Sequence, residues 1–84
     1  MTVRELIERL QGEDPNALVV VQEDPEGNGY SPLYQIGSDG YVADTTWSGQ
    51  RYLLELTPEL KEAGFSKEDV RKDAEKAVFL VPVN

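Results

Sequence analysis

Ala17-Leu18-Val19-Val20-Val21 is apolar at every position and β-branched at three, and Ala77-Val78-Phe79-Leu80-Val81 repeats the pattern near the other end of the chain. A strand with one face in water alternates apolar and polar residues. A run apolar on both parities therefore predicts a strand covered on both faces, or on one face by a helix and on the other by a partner. Two such strands in 84 residues are expected side by side near the middle of one sheet. Pro82 has no amide to donate and marks the end of regular pairing.

Working outward, the residues before the first strand predict a helix. Thr2 is an N-cap with Glu5 three residues on, and Val3, Leu6, Ile7 and Leu10 recur at helical spacing. Arg4 with Glu8, and Glu5 with Arg9, are spaced to pair across one turn. Gly12 stops the helix and Asp14-Pro15-Asn16 turns the chain. Between the two apolar strands, Leu33–Ile36 and Tyr41–Ala43 read as arms of a hairpin about Gly37-Ser38-Asp39-Gly40, and Arg51–Leu56 alternates as a further strand. Thr57-Pro58 opens a short helix over residues 59–63 that Gly64 closes. Ser66, with Asp69 at the third helical position and Phe65 placed to staple to Val70, opens another to about Glu75. The expectation is one α+β domain over residues 1–84. It has a mixed or antiparallel sheet of four to five strands, an N-terminal helix, and one or two helices before the C-terminal strand.

Composition narrows the function. The chain has 16 acidic and 8 basic residues, a net charge of −8, no histidine and no cysteine. Disulfides, thiolate sites and ordinary zinc sites are thereby excluded, which leaves self-association as the natural supplement to a small core. The charge disfavours nucleic-acid backbones and anionic membranes and suits a basic partner. No stretch approaches the ~18 apolar residues of a membrane span, and the opening lacks a signal-peptide pattern, so a cytoplasmic location is expected. Acid–base catalysis would fall to carboxylates, lysine or tyrosine. Glu23, Asp24 and Glu26 do not match a calcium loop, no serine lies in a nucleophile-elbow pattern, and no glycine loop matches a phosphate-binding loop. A non-enzymatic protein without cofactor or metal is the expectation.

Two loops carry the binding candidates. In Gly27-Asn28-Gly29-Tyr30-Ser31-Pro32 the glycines permit close backbone approach and their amides can donate to an anion, while Tyr30 can stack on a planar ring. In Asp44-Thr45-Thr46-Trp47-Ser48-Gly49, three hydroxyls flank the only tryptophan. Asn28, Gly29, Tyr30, Ser31, Thr45, Thr46, Trp47 and Ser48, with Arg51 to meet phosphate, are the expected ligand-binding set for a planar, nucleotide-like molecule. The plain alternative is that Tyr30 and Trp47 close the core. A charge objection also stands: residues 17–50 contain no lysine or arginine but five carboxylates.

Thr2-Val3-Arg4-Glu5-Leu6-Ile7 followed by Asp14–Val21 resembles the opening of many small uncharacterised bacterial and phage proteins. The Gly27–Leu33 and Thr45–Gly49 loops with the closing strand ending Pro82-Val83-Asn84 resemble, more particularly, small accessory proteins of tailed phages, notably those infecting actinobacteria. Residues 57–76 are outside the resemblance. It implies work in the bacterial cytoplasm during infection by occupying a host molecule. The molecule is either a nucleotide signal of host defence, held by a homo-oligomer with pockets between subunits, or a host protein whose basic surface is blocked by an acidic module.

Overall fold

The computed structural model describes all residues, Met1–Asn84. The fold is α+β, with an N-terminal helix, a four-stranded antiparallel sheet and short helical turns. The elements are α1 (Val3–Leu10), β1 (Val20–Gln22), β2 (Tyr30–Ala43), β3 (Gly49–Tyr52), α2 (Pro58–Glu62), a 3-10 turn (Lys67–Asp69) and β4 (Glu75–Pro82). No helix is long and apolar enough to cross a membrane.

The 14-residue β2 is the organising strand, because β1, β3 and β4 each pair with it. This corrects the expectation that the two apolar runs are neighbours at the centre. The first run supplies only Val20 and Val21 of the three-residue β1, which pairs with β2 alone. The Gly37–Gly40 hairpin is also corrected. These residues continue β2 without a turn, and the chain reverses instead at Asp44–Ser48. Turn-forming residues predict a turn only where no partner strand supplies ladder bonds, and here β4, remote in sequence, pairs with β2.

Residues pack into two compact units, Met1–Ile36 with Leu80–Asn84 (unit 1) and Gly37–Phe79 (unit 2). In unit 1, Thr2 caps α1 by accepting the Glu5 N–H at 3.2 Å, as its position in the sequence predicts. Asp14 Oδ1 accepts the Asn16 N–H at 2.9 Å in the following turn. β1 pairs with β2 in the register Val20–Pro32, Val21–Ser31, Gln22–Tyr30. Pro32 has no N–H, so its position opposite Val20 is one where the ladder needs none. The Leu33 N–H donates to the Val19 carbonyl at 3.2 Å, carrying the pairing one step beyond β1. The chain end is tied to the same strand: the Val83 N–H donates to the Pro32 carbonyl at 3.0 Å and the Asn84 N–H to the Ser31 hydroxyl at 3.1 Å.

Unit 2 is built on the β2–β3 hairpin, with Tyr41 opposite Arg51 and Ala43 opposite Gly49. Thr57 caps α2 by accepting the Leu60 N–H at 3.3 Å. Gly64, at φ +102°, ends it with the two reverse bonds of a Schellman motif, Gly64 N–H to Lys61 and Phe65 N–H to Leu60. The helix expected from Ser66 to Glu75 is a single 3-10 turn. Asp69 accepts the Ser66 N–H at 2.9 Å as the start signal predicts. With only Val70 and Ala74 apolar, however, the segment has too little inward surface to offset helix nucleation. The Leu53 N–H instead donates to the Asp69 carbonyl at 2.8 Å, and Val70 forms a parallel bridge with Leu53.

No hydrophobic side chain is fully buried. The apolar stripe of α1 shows this, since Val3, Ile7 and Leu10 each remain about half exposed.

Candidate functional site

The expected binding residues divide between the units. Asn28, Gly29, Tyr30 and Ser31 belong to unit 1, and Thr45, Thr46, Trp47, Ser48 and Arg51 to unit 2.

In unit 1 the loop before β2 is organised by its own carboxylate. Asp24 Oδ1 accepts the backbone N–H groups of Glu26 at 2.9 Å, Gly27 at 2.8 Å and Asn28 at 3.3 Å, and Oδ2 accepts the Asn28 side-chain amide at 2.8 Å. These bonds, the Asn28 side chain first, hold the Asp24 carboxyl below its ordinary value of 3.8. Gly27 takes φ +80°, which lets the successive amides converge on one anion. The loop is thus an anion nest whose anion is internal, and the Gly27 and Asn28 donors already have a partner. Glu23 occupies the space a side chain on Gly29 would need. Ser31 is 4% exposed, and its hydroxyl donates to the Pro32 carbonyl while accepting from Asn84. Tyr30, 67% exposed, keeps its ring open to solvent.

In unit 2 the Asp44–Ser48 turn is equally self-bonded. The Asp44 and Thr45 N–H groups donate to the Ser48 carbonyl at 2.9 and 3.0 Å. The Thr45 and Ser48 hydroxyls bond each other at 2.8 Å, and Thr45 Oγ1 also accepts the Trp47 N–H at 3.1 Å. Trp47 projects from this fixed turn at 84% exposure, which rules out a core-closing role for it. Thr46, between them, is exposed.

Arg51 is already paired. Its Nε donates to Asp39 at 3.1 Å, and its guanidinium lies 4.4 Å from the centre of the Phe79 ring. Strand register explains the pair, because Tyr41 faces Arg51 and Asp39 lies two residues along on the same side of β2. The group lines a pocket of about 380 Å³ with Tyr52, Leu53, Phe65 and Asp69. The two carboxylates outnumber the one guanidinium, so this pocket suits a cation better than a phosphate. Sequence reading missed Asp39 and Asp69 as lining residues. Asp39 sits among turn formers and Asp69 reads as a helix-start residue, so neither carried a local signal.

A second cation–π pair places the Arg71 guanidinium 5.2 Å from the Tyr52 ring. Asp73 and then Tyr52 push the Arg71 pKa up, and Arg71 in turn lowers the Asp73 carboxyl. No group of three or more acidic residues is close enough together to hold a metal ion. No protein-family model, curated protein or solved structure matches the chain.

Proposed function

We propose that the chain is a non-enzymatic, acidic interaction module that docks on a basic protein surface, with Trp47 as its apolar anchor. In the setting implied by the resemblance to phage accessory proteins, the partner is a host factor. The observation that carries this reading is the placement of Trp47, 84% exposed at the tip of a hairpin turn closed by four hydrogen bonds. Tryptophan on a pre-ordered turn loses little conformational freedom on contact, and such residues dominate binding energy at protein interfaces. The carboxylate-rich pocket of unit 2 adds a receptacle for a lysine or arginine side chain from the partner. The net charge of −8 would speed encounter with a basic surface.

A nucleotide-like ligand is the weaker reading. Its stacking rings, Tyr30 and Trp47, are open, but most of the donors meant for it are bonded within their own loops, and Arg51 is held by Asp39.

Capture from bacterial lysate separates the two readings. The interaction reading expects a retained protein whose binding falls at least about 30-fold with Trp47→Ala and declines steeply with added salt. Retention that ignores both the substitution and the salt would refute it. A thermal shift induced by nucleoside phosphates and lost in Trp47→Ala would establish the ligand reading instead.

A further inference from the structure

We propose that the outer face of the unit 1 sheet is a homodimer interface, on which a second copy of this chain packs face to face. Strand alternation puts Tyr30, Pro32, Tyr34 and Ile36 on one side of β2. The register sets Val20 opposite Pro32 and Gln22 opposite Tyr30, and Leu18, ahead of β1, has the same parity as Val20. Where β1 and β2 pair, burial separates the two sides: Val21, Ser31 and Leu33 are buried or half-buried, whereas Val20, Gln22, Tyr30 and Pro32 are exposed, as are Tyr34 and Ile36 further along. Beyond the paired segment Val19 and Gln35, on the other side, are exposed as well.

An antiparallel sheet that keeps one face in water carries polar residues there. This face carries one glutamine among leucine, valine, proline, isoleucine and two tyrosines. Leu18 is 90% exposed and Tyr34 70%. Twelve of the sixteen large apolar side chains left exposed lie in unit 1, so the deficit of burial is concentrated there. Leu18, Val20, Tyr30, Tyr34 and Ile36 alone leave on the order of 700 Å² open, close to the ~800 Å² each partner contributes to a standard interface.

Charge selects the occupant. Neither Val20–Gln22 nor Tyr30–Ile36 contains a charged residue. A basic partner would need carboxylates to meet it, and this face offers none. Two copies of a chain with net charge −8 repel unless they meet on a neutral patch, and an isologous contact needs a patch that complements itself. The uncharged apolar face meets both conditions, and it uses none of the unit 2 residues assigned to the basic partner.

The test is sedimentation equilibrium of the full chain at about 100 µM, where a subunit contact of this size is populated. The expected mass is twice 9.4 kDa, and added salt should strengthen the dimer by screening repulsion. Tyr34→Lys and Val20→Lys should each return the single-chain mass. Because a lysine variant can also lose the dimer by unfolding, a spin label on Gln22→Cys, on the same face, provides a second measurement in a chain with no other cysteine. Labelled dimers should show an intermolecular dipolar coupling that disappears on dilution with unlabelled chain. A single-chain mass for the unmodified protein would overturn the proposal, as would a dimer whose Gln22 labels show no coupling.

Discussion

Ser31 offers the sharpest separation of a structural from a ligand-binding role. Its hydroxyl is sealed at 4% exposure and accepts the Asn84 N–H across 53 residues of sequence, while the neighbouring Pro32 carbonyl also receives the Val83 N–H. Ser31→Ala leaves Pro32 its backbone donor but strips Asn84 of its acceptor. A neutral hydrogen bond contributes about 1 kcal/mol net, and a donor left partly shielded from water adds up to about 1 kcal/mol more. The expected cost is therefore about 1–2 kcal/mol. In a chain of this length each kcal/mol lowers the melting temperature by about 4–8 °C. Thermal denaturation followed by circular dichroism reads this directly. Asn84→Pro removes the donor from the other side, and the double variant should cost less than the two single changes added together, with a coupling of about 1 kcal/mol. An unchanged melting temperature for Ser31→Ala, or full additivity in the cycle, would refute the assignment of Ser31 as the latch on the chain end. It would also return the hydroxyl to the pool of groups free to meet a ligand.

Two further outcomes follow from close packing and from the internal anion. A Cβ on Gly40 would stand 2.8 Å from the Ala74 Cβ and 3.1 Å from the Tyr52 carbonyl oxygen, so Gly40→Ala should destabilise by about 1–3 kcal/mol in urea denaturation, with partial recovery on adding Ala74→Gly. Asp24 is held below 3.8, so its contribution to loop order is complete above that value and is lost as the pH falls through its lower folded pKa. The Gly27 and Asn28 amide resonances should move only in that acidic window, and Asp24→Asn should abolish the titration.

The helices and the strand pairings differed in how much the sequence revealed, and the difference is one of range. The starts of α1 and α2 are set by residues three apart, Thr2 with Glu5 and Thr57 with Leu60, and Gly64 closes α2 within two turns, so local reading places them. β2 is set by three partner strands, of which β4 is remote in sequence. Nothing within Gly37-Ser38-Asp39-Gly40 distinguishes a turn from a strand until Gly40 pairs with Tyr52 of β3 and Arg51 reaches across to Asp39. The loop residues were legible as polar and well formed. That their donors would be spent on Asp24, Ser48 and one another was not, because an internal acceptor and an external ligand require the same residue types. The largest departure, the apolar run of residues 17–21 at a sheet edge, is informative for a different reason. Its pattern calls for cover on two faces, and the single chain leaves Leu18 and Val20 exposed on one and Val19 on the other. A sequence apolar on both parities, beside the uncharged outer side of Tyr30–Ile36, is what a strand buried only after two chains meet would require.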